Sequence, residues 1–131
     1  MNLHHIAYVC KNVEEKAKSL CEQFGLKIIS EPVIDEYQGV KIIFVQTEDG
    51  TKIELLEPYG ENSPVKKHLD KGGGLYHLCF EVDNLAKTLE TITSNNKAFL
   101  VRPPAKAPAI ENKKAAFVVT AEKDIIEFVE K

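Results

Sequence analysis

A chain of 131 residues is the size of one ordinary domain and is large enough to bury about two thirds of the surface that its unfolded form exposes. Its content of 44% hydrophobic and 28% charged residues argues against the disordered, collagen-like and membrane-embedded classes. The 17 basic residues are balanced by 20 acidic ones, and Arg102 is the only arginine. Because no basic stripe is present to neutralise a run of phosphates, a nucleic-acid partner is not expected.

The cysteines and the first residues indicate a compartment. Cys10, Cys21 and Cys79 are an odd number without a C-x-x-C pair, which predicts buried free thiols in a reducing environment. The first eleven residues lack the apolar run of a signal peptide, and no segment approaches about 20 apolar residues. We therefore expect a cytoplasmic protein with no membrane partner.

The first half of the chain predicts the order β-α-β-β-β. Residues 3–10 mix β-branched, aromatic and aliphatic side chains and predict a strand. Asn12 is the expected N-cap of a helix that ends at Gly25. A hairpin turn is predicted at Glu48-Asp49-Gly50. The strands after the helix are predicted over residues 27–34, 39–46 and 51–58.

The second half follows a short connector and predicts the same order. Ser63-Pro64 resembles an N-cap with proline at the first helical position, which predicts a connector helix at about 63–71, before the glycines at 72–74. Residues 103–112, the longest irregular stretch, are expected to form a mobile loop. The remaining elements are a strand at 75–82, a helix at 85–94 capped by Asn84, and strands at 98–101, 114–120 and 124–130.

The two halves align as an internal repeat. An offset of 72 pairs His5 with His77, and an offset of 73 pairs Glu54 with Glu127. The same offsets pair Asn12 with Asn84 and Phe44 with Phe117. The sequence thus predicts one α+β domain over residues 1–131, in which two βαβββ modules, at 1–60 and 73–131, enclose a concave cleft.

Each half supplies one histidine on its first strand and one glutamate on its last, 49 and 50 residues apart. Strand alternation places all four side chains on the face away from the helices, toward the cleft. A carboxylate within a strand as apolar as 125–129 is costly without a compensating charge, and two facing carboxylates repel each other. A divalent cation removes both costs, so we predict one metal ion held by His5, Glu54, His77 and Glu127.

Two imidazoles and two carboxylates suit zinc, manganese, iron(II), cobalt or nickel. Taken singly, each histidine is more often a core or rim residue and each glutamate an edge-strand residue facing water. The repeated spacing favours the shared site. Glu57 and Glu130 are also paired by the repeat, but they end their strands and are expected to be solvated. His4 and His68 have no counterpart and are interpreted as ordinary polar residues.

Several motifs are spread over essentially the whole chain and include Leu3-His4-His5-Ile6-Ala7, Gln38-Gly39-Val40, Ile53-Glu54-Leu55-Leu56-Glu57-Pro58, Gly74-Leu75-Tyr76-His77-Leu78 and Ile126-Glu127-Phe128. Together they resemble the vicinal oxygen chelate (glyoxalase, bleomycin resistance and dioxygenase) superfamily. The resemblance is closest to methylmalonyl-CoA epimerase-like and lactoylglutathione lyase-like proteins. It implies a glyoxalase-like fold, a homodimer and metal ligands at the same two histidines and two glutamates.

The chain departs from the epimerase pattern at three places. Tyr76 replaces the first of two histidines, on the face away from the metal, so the metal site is expected to survive. Ile42 stands where some epimerases carry a glutamate base, which implies that the base differs here. Residues 118–123 replace a histidine-proline-lysine segment, which weakens the expectation of a coenzyme A ester.

The resemblance implies a metal-dependent lyase or isomerase that moves a proton on a carbon next to a carbonyl. Glu54 or Glu127 is the expected base, and the substrate is a small thioester or thiohemiacetal. Methylmalonyl thioesters and the glutathione adduct of methylglyoxal both remain open. The alternative is a non-catalytic protein of the bleomycin-resistance type that binds a small molecule in the same cleft. A ring-cleaving dioxygenase fits least, because it requires a different ligand set.

Overall fold

A computed structural model describes residues 1–131, which divide into two compact units. The N-terminal unit is His5–Tyr76, and the C-terminal unit comprises Met1–His4 and His77–Lys131. None of the helices combines the length and the apolar character needed to cross a membrane. In chain order the elements are β1 (Asn2–Val9), α1 (Val13–Phe24), β2 (Lys27–Ile28), β3 (Val33–Asp35), β4 (Val40–Gln46), β5 (Lys52–Pro58), α2 (Lys66–Asp70), β6 (Gly74–Val82), α3 (Leu85–Thr93), β7 (Ala98–Ala107), a 3-10 helix (Pro108–Ile110), β8 (Lys113–Thr120) and β9 (Ile125–Glu130).

The sheet of the N-terminal unit is organised around β5. This strand pairs with β1 in parallel and with β4 in antiparallel orientation, and β4 also pairs with β2 and β3. Helix α1 begins at Asn12, whose Oδ1 accepts the backbone N–H of Glu15 at 2.9 Å, and ends at Gly25 in the left-handed conformation (φ 73°). Its apolar face, with Val13 and Ala17, packs against Val45 and neighbouring side chains of β4 and β5.

The C-terminal unit repeats this arrangement. Strand β9 pairs with β6 in parallel and with β8 in antiparallel orientation, and β7 pairs with β8. Asn84 caps α3, its Oδ1 accepting the backbone N–H of Lys87 at 2.9 Å. Leu85 and Leu89 pack against Phe128 and other side chains of the sheet. The expected α+β fold with tandem βαβββ modules is confirmed.

The strand predicted over residues 27–34 is broken into the short strands β2 and β3. Residues 29–32 lie between them, and Pro32 has no backbone N–H to donate to a ladder. The hydroxyl of Ser30 instead accepts the backbone N–H of Phe44 at 2.8 Å. This side-chain contact maintains a hydrogen bond to β4 where the strand is interrupted.

The predicted start of the connector helix is wrong. Helix α2 begins at Lys66, its N-cap position is Val65, and no side chain caps it. The hydroxyl of Ser63 donates instead to the carbonyl of Gly39, 24 residues earlier. Gly39 has a φ of 68°, and an added Cβ would lie 3.3 Å from the Cα of Ser63. The serine therefore joins the connector to the start of β4.

The mobile loop expected at 103–112 is also wrong. Residues through Ala107 continue β7, which has two register shifts, and the 3-10 helix follows. Pro103 and Pro104 are accommodated because β7 pairs with β8 alone and is an edge strand, where a missing N–H breaks no second ladder. The two prolines therefore coincide with irregular pairing in β7 and do not end the strand.

Glu57 and Glu130 are not merely solvated strand ends. An Oε1 of Glu57 accepts the backbone N–H of Val13 at 2.9 Å, and Oε2 of Glu130 accepts that of Leu85 at 2.9 Å. Each carboxylate thus binds the first residue of the helix in its own unit, where the N–H groups lack helical partners and the helix dipole favours negative charge. The repeat therefore includes a second pair of functional carboxylates, which join the last strand of each module to its helix.

Replacing Glu57 with alanine is expected to lower the free energy of unfolding by about 1–2 kcal/mol, because the N–H of Val13 loses its acceptor. Glu57→Gln keeps an oxygen in place and should lose less. Urea unfolding of both variants beside Asn12→Ala, which removes the other cap of α1, provides the comparison. An alanine variant as stable as the parent would show that the contact contributes nothing.

All three cysteines are free, but only two match the expectation of buried thiols. Cys10 and Cys79 are buried, whereas Cys21 on α1 is partly exposed. Burial raises the pKa of the Cys10 thiol from 9.0 to about 11. Because an acid is neutral below its pKa, the raised pKa keeps the Cys10 thiol protonated up to a higher pH. Cys10 therefore remains a thiol at ordinary pH.

Iodoacetamide at about pH 8 should therefore alkylate the partly exposed Cys21 before the buried Cys10, because the raised pKa makes the thiolate fraction of Cys10 about 100-fold smaller than it would be at a pKa of 9.0. Peptide mass spectrometry of the folded protein measures both sites. Unfolding in urea should equalise them. Equal rates in the folded protein would contradict the assigned burial.

Candidate metal centre

In the N-terminal unit, His5 and Glu54 form a buried pair. They lie on the parallel strands β1 and β5, where the register places Ala7, two residues after His5, beside Glu54. The His5 Nε2 is 3.2 Å from the Glu54 Oε1. The two residues are 0% and 4% exposed. A carboxylate this deeply buried needs a positive or proton-donating neighbour, and the imidazole supplies it.

The C-terminal unit contains an equivalent pair on β6 and β9. The register places Cys79, two residues after His77, beside Glu127, as in the first unit. The His77 Nε2 is 3.1 Å from the Glu127 Oε1, and the residues are 3% and 1% exposed. The same parallel strand pairing thus creates the same side-chain pair twice.

Each imidazole also lies against a phenylalanine. The rings of His5 and Phe44 are 5.3 Å apart at 82°, and those of His77 and Phe117 are 5.3 Å apart at 83°. These edge-to-face contacts hold the imidazoles in orientation and help to exclude water. The internal repeat pairs Phe44 with Phe117, and this pairing was the sequence signal for a role beside the histidines that was not predicted.

The four side chains lie on the sheet face opposite the helices of their own unit. Glu54 alternates with Ile53 and Leu55, which belong to the core cluster around α1. Glu127 alternates with Ile126 and Phe128, which belong to the core cluster around α3. Within each unit, the alternation that the sequence predicted is therefore present.

The donors of each pair fit a divalent metal ion. Two ligands bonded to one ion at about 2.1 Å, with an angle of about 90–109° between them, lie about 3.0–3.4 Å apart. The observed distances of 3.2 and 3.1 Å match this separation. Imidazole nitrogen and carboxylate oxygen are also a suitable donor set for the ions named above. Binding of a metal by the four residues remains a prediction.

Two of the departures from the epimerase pattern have structural counterparts. Ile42 is 2% exposed and lies two residues before Phe44 on β4, so it shares the sheet face of Glu54 and places no carboxylate there. Tyr76 makes an edge contact with His68 of α2 at 5.1 Å and alternates with His77 along β6. The tyrosine serves packing within its unit.

Residues 4–117 match the family described as the Glyoxalase/Bleomycin resistance protein/Dioxygenase superfamily. The chain belongs to this superfamily. It is similar to the mitochondrial methylmalonyl-CoA epimerase of Dictyostelium discoideum, with 38% identity over 96 residues, 72% of this chain and 57% of that relative. The chain thus spans less than two thirds of that relative's length.

Two solved structures have the same fold. A Streptomyces coelicolor methylmalonyl-CoA epimerase variant, solved in complex with 2-nitronate-propionyl-CoA, has a TM-score of 0.86 at 21% identity and covers 100% of this chain and 97% of its own. A hypothetical protein from Bacillus halodurans C-125 has a TM-score of 0.85 at 27% identity and covers 99% and 94%. The glyoxalase-like fold is therefore shared along essentially the whole chain.

The buried pair of the C-terminal unit makes a prediction that needs no metal. His77→Leu leaves the Glu127 carboxylate buried without its imidazole, which should cost about 3–5 kcal/mol of folding free energy. Glu127→Gln keeps an oxygen acceptor and should cost about 1 kcal/mol. Urea unfolding of chelator-treated protein measures both. Equal losses would show that the pair is not an energetic unit.

Proposed function

We propose that His5, Glu54, His77 and Glu127 together hold one divalent metal ion and that the protein is a metal-dependent epimerase acting on a small acyl-CoA thioester. The observation that carries the proposal is the duplicated buried His–Glu pair, with donor separations of 3.2 and 3.1 Å. These pairs supply the His/Glu group that suits an ion. Similarity to methylmalonyl-CoA epimerases supports the reaction class.

A divalent ion held by the two His–Glu pairs would polarise a carbonyl oxygen of the substrate and would stabilise the negative charge that develops there by several kcal/mol. The chain's own residues handle the proton. Epimerisation removes a proton from the carbon beside the carbonyl and returns one to the opposite face. Because Ile42 offers no carboxylate, Glu54 and Glu127 are the bases we assign to these steps. Phe44 and Phe117 limit access of water to the histidines.

The thiohemiacetal of methylglyoxal and glutathione is the competing substrate. It requires the same proton transfer next to a carbonyl and the same donor set, so the metal pairs do not discriminate between the two. Similarity at 38% identity to an epimerase favours the thioester. We also propose a cytoplasmic location and a homodimer. Sedimentation at micromolar concentration measures the oligomeric state directly.

Metal analysis followed by a solvent-exchange assay tests the function. Protein stripped with a chelator and reloaded with zinc, cobalt, nickel, manganese or iron(II) should bind one ion per chain. In D2O it should then exchange deuterium into the carbon beside the thioester of methylmalonyl-CoA. Glu127→Gln should lose metal affinity, and Lys114→Gln, at an exposed position of β8, is the control.

Three outcomes would contradict the proposal. Undiminished exchange in chelator-treated protein would remove the metal from the reaction. Turnover of the glutathione adduct alone would assign a lyase instead. Stoichiometric binding of both substrates without exchange would identify a binding protein of the bleomycin-resistance type.

A further inference from the structure

Arg102, the only arginine of the chain, is connected by strand pairing to the His77–Glu127 pair of the C-terminal unit, called the metal pair below. Arg102 on β7 is the register partner of Phe117 on β8, and Phe117 is the register partner of Glu127 on β9. Residues directly opposite in antiparallel strands share a face of the sheet. Arg102 is therefore on the face that carries Glu127 and His77.

An irregularity of β7 creates this placement. Leu100 is paired with Val118, which belongs to the helix-facing core, so in a regular strand Arg102 would lie on that same helix face. The register shifts between Leu100 and Arg102, and again between Arg102 and Ala105. Such bulges re-aim side chains and are frequent next to active sites. Here the extra residue moves Arg102 to the face of the metal pair.

The distance suits a contact with a molecule bound at that pair. Neighbouring strands are about 4.8 Å apart, so the backbones of Arg102 and Glu127 are separated by about 10 Å. Arg102 is half-buried, and its long side chain would cover much of this distance if it extended over Phe117. A ligand at His77 and Glu127 that reached toward the edge of the sheet would then come within range of the guanidinium.

Charges of both signs lie on this face, and the guanidinium of Arg102 is its candidate anion-binding group. Glu81 follows His77 and Cys79 on the same face of β6, but its carboxylate lies 3.9 Å from the ammonium group of Lys113, which partly compensates it. A guanidinium presents paired N–H donors that match the two oxygens of a carboxylate or phosphate. The other 16 of the 17 basic residues are lysines, which lack this geometry.

We propose that Arg102 is a specificity residue that binds an anionic oxygen group of the substrate, an inference that rests on the proposed function. The group is either the free carboxylate of the acyl part or a phosphate of the carrier. Both have the same chemistry at the guanidinium. The arginine selects substrates with a negative group placed a few ångströms from the reacting carbon.

The test compares Arg102→Gln and Arg102→Lys with Lys106→Gln, which removes one positive charge from an exposed position of the same strand. Metal-loaded proteins are assayed for kcat and KM with methylmalonyl-CoA. Malonate and coenzyme A are used as separate probes of binding by calorimetry. Thermal melting establishes that each variant is folded, and Arg102→Lys replaces Arg102→Gln if the latter is not.

Arg102→Gln should raise KM by about 10- to 100-fold, the loss expected for a hydrogen bond to a charged group. Lys106→Gln should remain within about 2-fold of the parent. Weaker binding of malonate alone assigns the acyl carboxylate, and weaker binding of coenzyme A alone assigns the phosphate. The KM of Arg102→Lys should be intermediate, because lysine keeps the positive charge but lacks the paired N–H donors of the guanidinium.

The inference fails if Arg102→Gln behaves as Lys106→Gln toward the substrate and both probes. That result, with turnover by the parent, leaves the proposed function intact. If the parent binds either probe without turnover, the calorimetric comparison still decides the role of Arg102 and only the proposed function is lost. A parent that binds neither probe overturns both.

Discussion

The structure depends on the burial of a carboxylate beside an imidazole on adjacent parallel strands. Glu54 and Glu127 are 4% and 1% exposed, and an isolated charge at such depth is strongly disfavoured. Each is tolerated because the parallel register with β1 or β6 places a histidine nitrogen within 3.2 Å. The register must be maintained, since a slip of β5 or β9 by one residue would turn Glu54 or Glu127 toward the helices. The carboxylates Glu57 and Glu130, which join β5 and β9 to the helix N-termini, help to maintain it.

Duplication explains how much of this was readable from the sequence. The helix caps Asn12 and Asn84, and the alternation around Glu54 and Glu127, are local patterns, and the repeat shows each of them twice. The order of elements, apart from the break between β2 and β3, and the sheet face of the paired residues followed from these patterns. The amino-acid pattern predicts that the four residues bind one ion, and metal analysis tests that prediction.

Three of the wrong predictions concern contacts between residues distant in the sequence. Glu57 ends a strand and looks solvated until its contact with Val13, 44 residues earlier, is known. Ser63 looks like a helix cap, but its hydroxyl donates to Gly39. Residues 103–107 contain two prolines and look irregular, yet they extend an edge strand. In each case a nonlocal partner determined the outcome, and single-sequence patterns contain no information about such partners.

The buried Ile42 has a consequence for the proposed chemistry. An enzyme with a separate carboxylate base can change its metal site and its proton transfer independently. In this chain the position on β4 is apolar, so the carboxylates assigned to the proton are the same ones assigned to the metal. Metal affinity and basicity are then opposed, because a bound cation lowers the proton affinity of the carboxylates that ligate it. In the proposed site, an ion held weakly enough to leave a carboxylate oxygen basic would reconcile the two demands. If the proposed site is right, the choice of metal is therefore part of the choice of base.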